Sequence, residues 1–406
     1  MYPTLSDLLH ERFGFDIPLP VQTFGLFVAF AFLTASFILK KELKSKQAAG
    51  MLYPIKETVR LDEPFNLVSV AVNFTAGSTI GLLLVTLTTI CFGNSNWVNT
   101  FKSLGMLLYF VLKQHWIILL VFGIAFLVLR YLIERKQISV KPITQEKEVW
   151  PHERVDIILA IAAIGGLIGA KLFDALENWD TYTAHPENFI AFSGLTFYGG
   201  LIVAAAGIFM YAHNKKINLW HLADSVAPAL MIGYGIGRIG CHMAGDGDWG
   251  IENSYPKPFV GLPDWLWSYT YPHNVSNQGI PIPGCGGPHC FELPHGVYPT
   301  SLYEFAACTL LFCVLWLIRK RLKVPGVLFG IYLCMNGTER FLVELIRVNN
   351  KYQWGFFRPT QAELISVVLL FTGSVLIVLR SKQRQSKKIS VLNLVYKKQT
   401  NSQTPR

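Results

Sequence analysis

Runs of about twenty apolar residues, the length that crosses a bilayer core, recur along the chain and are separated by polar links. They predict helical spans at 21–39, 66–91, 115–133, 155–177, 195–212, 222–242, 299–318, 326–346 and 361–379, with 1–20 and 101–112 lying at an interface. Basic residues gather in particular links: Lys40, Lys41, Lys44 and Lys46; Arg135 and Lys136; Lys215 and Lys216; Arg319, Lys320, Arg321 and Lys323; and a tail from Arg380. Positive residues stay on the cytoplasmic side of short loops. The intervening links, including 178–194 with no Lys or Arg, therefore face out. The expected fold is an all-α, polytopic transmembrane helical bundle of about nine spans, N-out and C-in, with a long extracytoplasmic insert at 251–297. The chain divides into 1–48 (first span), 49–150 (two additional spans), 151–250 (core spans), the insert 251–297, 298–380 (core spans) and the basic tail 381–406.

Composition agrees with that pattern. Of 406 residues, 51% are hydrophobic and 15% charged, where a soluble chain carries about a quarter charged residues. The net charge of +10 is thus a topology signal and not a nucleic-acid footprint. Asp7, Glu11 and Asp16 precede the first apolar run, where a cleavable signal peptide is positive. Cys285 and Cys290 lie in the outward insert, so a disulfide is expected, with zinc held by His289 or His295 as the alternative. No nucleotide or tight metal motif is present, and no cofactor is expected.

Four separated polar clusters fall at the outward ends of four spans. The first is Tyr198 with Gly199 and Gly200. The second runs from Arg238 to Asp248, the third from Tyr298 to Glu304, and the fourth holds Arg340, Glu344 and Arg347. Residues 340, 344 and 347 share one helical face. Gly233 and Gly237, and Gly165, Gly166 and Gly169, have the small-residue spacing of close helix contacts. Singly, each cluster has a bland reading. Arg340 and Glu344 neutralise each other along one helix, Tyr198, Tyr298, Tyr303 and Trp249 form an aromatic belt, and His242 is a satisfied interfacial histidine. Their convergence on one face argues otherwise. Ionisable residues in spans face the bundle interior and mark functional paths, and guanidinium forks bind phosphate oxygens in pairs.

Those clusters resemble the prolipoprotein diacylglyceryl transferases. Gly237-Arg238-Ile239-Gly240 and Gly245 match the family's Gly-Arg-x-Gly-Asn-x-x-Asn-Gly-Glu segment, and Leu222-Ala223-Asp224 with Ala227-Pro228 matches its lead-in. Leu195 to Leu201 is similar to its Ser-Phe-His-Gly-Gly-Leu, and Tyr298 to Glu304 to its His-Pro-Ser-x-Leu-Tyr-Glu. Arg340, Glu344 and Arg347 have the spacing of its Arg-x-x-x-Glu-x-x-Arg, and Gln361 matches a glutamine opening its last span. The chain departs from the pattern in several places. Tyr198 and Tyr298 replace histidines, Cys241 and Ala244 replace asparagines, and Phe24 and Asn336 replace tyrosines. Asp246 takes the place of the motif glutamate, with one extra residue before Trp249.

The resemblance implies an enzyme of the bacterial cytoplasmic (inner) membrane with its active site on the periplasmic side. It would move the diacylglyceryl group of phosphatidylglycerol to the lipobox cysteine of a prelipoprotein signal peptide, releasing glycerol phosphate. Arg238 and Arg340 would hold the phosphate, and Glu344 and Glu304 would orient those arginines. Tyr198, Gly199, Gly200, Gly237, Gly240, Tyr303 and Arg347 would complete the binding site. With a tyrosine at 198, His242 is the first candidate for the thiol base and Asp246 the second. A non-catalytic binder of lipoprotein signal peptides and a flippase for an anionic lipid are the other classes open.

Overall fold

A computed structural model describes residues 1–14, 21–60, 120–130, 144–184, 196–349 and 358–401, with isolated positions at 74, 76–78, 80, 81, 132 and 351–353. Most of the expected second span, the turn at 93–96 and the interfacial 101–112 lie outside the described residues. The fold is mainly helical. In order come α1 (Leu5–Phe13), α2 (Thr23–Ala48), β1 (Ile55–Arg60), β2 (Thr144–Val149), α3 (Val155–Glu177), α4 (Trp179–Ala184) and α5 (Phe197–Asn214). Then follow α6 (Leu219–Ala244), α7 (Asp264–Trp267), β3 (Ile280–Pro281), β4 (Phe291–Glu292), α8 (Thr300–Ile318), α9 (Val327–Glu344) and α10 (Gln361–Asn401). Among the described residues, four helices are long and apolar enough to cross a membrane: Thr23–Ala48, Pro151–Glu177, Thr300–Ile318 and Gln361–Gln383. Their outward faces carry large apolar side chains, with Phe37 64% exposed, Leu317 74% and Phe371 71%, as lipid-facing helices require.

Two compact units make up the chain. The smaller, 56–149, contains an apolar helix at Leu120–Arg130 and most of the paired strands β1 and β2. The larger unit comprises 1–55 and 150–406 and holds every candidate site residue.

In the larger unit α6 is the hub, packed against α2, α8 and α9, while α3 pairs with α5 and α9 with α10. Asn218 starts α6 by accepting the amides of Trp220 at 3.1 Å and His221 at 3.2 Å, the usual work of an N-cap. Gly245, at φ +66, ends it in the left-handed conformation that glycine adopts cheaply. Leu39, Leu43, Val155, Ile158 and Leu222 pack into one buried cluster, and Met231, Cys308, Leu315 and Leu328 form a second between α6, α8 and α9.

The glycines sort themselves differently from the expected Gly233/Gly237 pair. A side chain at Gly235 would meet Cys308 Cβ of α8 at 2.9 Å, and one at Gly240 would meet Phe27 Cβ of α2 at 3.0 Å. Among the described residues, a side chain at Gly237 would meet nothing within 4 Å, and at Gly233 the nearest atom is 3.8 Å away. The tight contacts of α6 thus fall on two other faces. The second expected glycine face does form: Gly169 opposes the carbonyl of Gly199, and Gly200 opposes that of Gly166, where α3 meets α5.

Candidate active site

The ends of α6, α8 and α9 are stitched together by backbone. Gly250 donates to the carbonyl of Tyr298 at 2.8 Å, and Ile251 to that of Ile346 at 2.8 Å. A side chain at Gly250 would stand 2.7 Å from the latter carbonyl, so only glycine allows this junction. Thr300 Oγ1 and Ser301 Oγ, in the first turn of α8, both donate to the Asp248 carbonyl at 2.8 Å. This seam fixes Asp248 between α6 and α8 and brings Arg347 alongside.

Around the seam, three guanidinium groups share three carboxylates. Glu304 on α8, with no exposed surface, is the centre. It pairs with Arg238 Nε and lies 3.4 Å from Arg340 and 3.2 Å from Arg347. It also accepts the Tyr234 hydroxyl at 2.8 Å. That hydroxyl in turn accepts Arg238 at 3.0 Å, and the guanidinium lies 4.8 Å from the Tyr234 ring centroid. Asp248 pairs with both Arg238 and Arg347. Glu344 pairs with Arg340 at 2.9 Å across one helical turn and accepts Asn349 at 2.6 Å. Breaking buried pairs of this kind leaves a charge uncompensated and costs several kcal/mol. Each partner is therefore held by the others.

The two aspartates after α6 behave oppositely. Burial alone would raise the Asp248 carboxyl, but Arg238 and Arg347 outweigh it and hold it below the ordinary carboxylate range. At Asp246 burial, reinforced by the neighbouring Asp248, pushes the carboxyl above that range. Oxygens of both lie with Cys241 Sγ inside a 4.8 Å group. Asp248 in that group is already taken by two guanidinium ions.

The family model for prolipoprotein diacylglyceryl transferase matches residues 106–379. The chain belongs to this family. Among its relatives is a phosphatidylglycerol–prolipoprotein diacylglyceryl transferase of Dehalococcoides mccartyi, 28% identical over 58% of this chain and 82% of its own. Enzymes of that name from Mannheimia succiniciproducens and Vibrio cholerae are 30% and 29% identical, over 62% and 56% of this chain and 85% and 76% of theirs. The match begins inside 49–150 and does not include the first span.

Of the residues that the sequence nominates in this transferase, Arg238, Arg340, Arg347, Glu304 and Glu344 come together in the ionic cluster. Tyr198 lies within electrostatic reach of Arg340, Glu344 and Arg238. Gly199 and Gly200 are spent on helix packing, as is Gly240, whereas Gly237 is open. Tyr303 donates to the Leu266 carbonyl at 2.8 Å and ties the insert to α8. His242 is 7% exposed, with Nδ1 3.1 Å from the Tyr271 hydroxyl and its ring against Tyr269 and Tyr271. Trp249 joins Tyr271 and Val297 of the insert in a buried cluster and forms no part of an aromatic belt.

Asp248 and Tyr234 are the residues that sequence reasoning missed. With one residue inserted between Gly245 and Trp249, two aspartates compete for the place of the motif glutamate. The arginines select the later one. Tyr234 sits one turn before Arg238, a spacing that puts the two side chains on one face and was available as a signal.

Proposed function

We propose that the protein transfers the diacylglyceryl group of phosphatidylglycerol to the lipobox cysteine of prelipoproteins at the outer leaflet of the bacterial cytoplasmic membrane. The observation that carries this reading is the sharing of one buried carboxylate, Glu304, by three arginines from α6, α9 and the segment after α9. A cluster in which guanidinium groups outnumber their central acid can trade a carboxylate contact for a phosphate oxygen without leaving a bare ion. Arg238 and Arg340 bind the phosphodiester through paired N–H groups. Fixed charge of this kind, aimed where negative charge grows, is commonly the largest catalytic contribution.

The reaction breaks the C–O bond between the diacylglycerol carbon and the phosphate. The lipobox sulfur forms a C–S bond to that carbon, and glycerol phosphate leaves with the bond pair. Arg238 and Arg340 neutralise the departing phosphate. The thiol proton needs an acceptor, because the thiolate is the nucleophile and a free cysteine has a pKa of about 8.5. His242 and Asp246 are the two candidates. Burial and the neighbouring Asp248 raise the Asp246 carboxyl, the direction that makes a carboxylate a stronger base, whereas His242 Nδ1 is engaged by Tyr271. Tyr198 orients the phosphate from α5.

The proposal keeps the nine-span, N-out/C-in arrangement. The Cys285–Cys290 disulfide supports an insert on the oxidising side of the membrane, and the insert is bound to the same helix ends as the arginines. Purified protein given phosphatidylglycerol and a lipobox peptide decides the matter by mass spectrometry. The expected product is the peptide carrying a diacylglyceryl thioether. Peptide binding without that product leaves a signal-peptide binder, and lipid translocation without it leaves a flippase.

A further inference from the structure

One carboxyl beside the cluster has no role in the scheme above. Glu339, next to Arg340 on α9, is 5% exposed, and neither of its oxygens has a hydrogen-bond partner among the described residues. Each of the other three acids has at least one close partner. Residues 332, 335 and 339 follow helical spacing along one face of α9. Tyr332 and Met335 on that face pack against the buried Met231, Cys308, Leu315 and Leu328.

The groups that face Glu339 are these. From α6 it feels Arg238, and Tyr234 feels it. From α8 come Glu304 and Cys308. Its own helix contributes Tyr332 and Arg340, and the segment after it Arg347. The third neighbouring helix, α10, meets α9 at Gly330 and Gly337 through Ser366, Leu369, Leu370 and Ile377, none of them charged.

Charge counting gives Glu339 its meaning. Arg238, Arg340 and Arg347 are matched three for three by Asp248, Glu304 and Glu344. An ionised Glu339 adds a negative charge to that group, beside the charge Asp246 carries as a base, in the place where an anionic phosphodiester has to bind. A buried carboxylate with no donor is also costly, and a neutral acid avoids that cost.

We propose that Glu339 is a positioning residue that sets the charge of the arginine cluster: it holds a proton while phosphatidylglycerol is bound, and its ionisation weakens the grip on the phosphodiester. This rests on the transferase reading above. A like charge about 10 Å away, at an effective dielectric of about 20, changes affinity by about tenfold.

The test uses the full-length protein in mixed micelles, with KM for phosphatidylglycerol measured from pH 6 to pH 9, a window of about three units around neutrality. The wild type is expected to lose affinity by about tenfold on the alkaline side. Glu339→Gln, a permanently neutral isostere, is expected to keep KM flat, and Glu339→Asp to restore the rise. The change falls on KM and not on kcat, which a merely structural role does not produce. A Glu339→Gln profile that follows the wild type overturns the proposal. A second reading needs no change at Glu339. In the Asp246→Asn protein, which lacks the other raised carboxyl, the infrared C=O band of a shielded, protonated carboxylic acid should disappear over the pH range in which the wild-type KM rises. The absence of such a band, or its persistence while KM rises, overturns the proposal too. Wild-type protein that makes no thioether at any pH refutes the transferase reading instead, and the infrared band still reports on Glu339.

Discussion

Buried charge closes the bundle at both ends, and the two ends use it differently. At the end away from Arg238, Glu42 of α2 pairs with Arg319 at 2.7 Å, with side chains 4% and 9% exposed. Arg319 also lies 3.3 Å from the Trp316 ring centroid. Asp224 of α6 accepts the amides of Gly326 at 2.8 Å and Phe329 at 2.9 Å, capping α9 from another helix. Lys46 donates to the His221 carbonyl at 3.0 Å, and Arg380 to that of Pro325 at 2.7 Å. Each ion there has its own fixed partner, largely backbone. At the Arg238 end, three arginines divide three carboxylates, and Glu304 alone serves all three. Dedicated pairs pin helices together. Shared pairs leave the guanidinium groups able to exchange a carboxylate for an incoming anion.

The sharpest way to break that contrast is at Arg238. Arg238→Lys keeps the charge but loses the fork that reaches Glu304 and Asp248 together. Transfer to a lipobox peptide is expected to fall by at least about a hundredfold, the scale of losing one oriented donor. A variant with near-wild-type transfer would mean that a point charge suffices, and that sharing has no functional meaning. Asp246→Asn comes next, with an expected loss of about a hundredfold or less, the lower range for a general base. Because burial raises the Asp246 carboxyl, wild-type transfer should decline as pH falls through that raised value. The asparagine variant should show no such limb. If His242→Ala flattens the limb and Asp246→Asn does not, the proton goes to the histidine.

Asp248→Asn should be milder in rate, about tenfold, because Glu304 still holds Arg238 and Arg347. Its signature lies in stability. The folded value of Asp248 is lowered, so its contribution is fully present above the ordinary carboxylate value and fades as pH falls through the folded one. Thermal unfolding of the variant should therefore sit below the wild type at neutral pH and converge with it in acid. Parallel curves at all pH values would show that the arginines do not depend on this aspartate.

How much of this was readable in advance follows from where the information lies. Arg238, Glu304, Arg340, Glu344 and Arg347 stood out because ionisable groups in apolar runs are rare and costly, and all five meet. Asp248 was hidden by a single inserted residue, and only the backbone seam at Gly250 decides between the two aspartates. The glycine spacing in α6 was visible, but spacing does not name the partner helix. Gly235 and Gly240 meet α8 and α2 because of how those helices approach. Nothing in the local sequence singles out Glu339, which precedes Arg340 in an apolar run. Its isolation is a property of three helices together. The disulfide in the insert was legible from two cysteines five residues apart, whereas the anchoring of Tyr303 to Leu266 crosses a distance that no local pattern spans.

The smallest expected change in transfer belongs to the opposite end, and it tests the contrast from the other side. Arg319→Met removes one member of a pair that is nearly sealed from solvent and leaves Glu42 buried without its ion. Breaking such a pair costs about 3 kcal/mol, so the variant should unfold at lower temperature or denaturant concentration. Among the described residues, no ion pair joins the Arg238 cluster to Glu42 or Arg319. Transfer per folded molecule, with both KM for phosphatidylglycerol and kcat, should stay at the wild-type value. If the double substitution of Glu42→Leu with Arg319→Met recovers the lost stability, as apolar replacement of buried pairs often does, the pin is mechanical. A fall in kcat in the folded single variant would instead couple the two ends, and the division between structural and exchangeable charge would have to be abandoned.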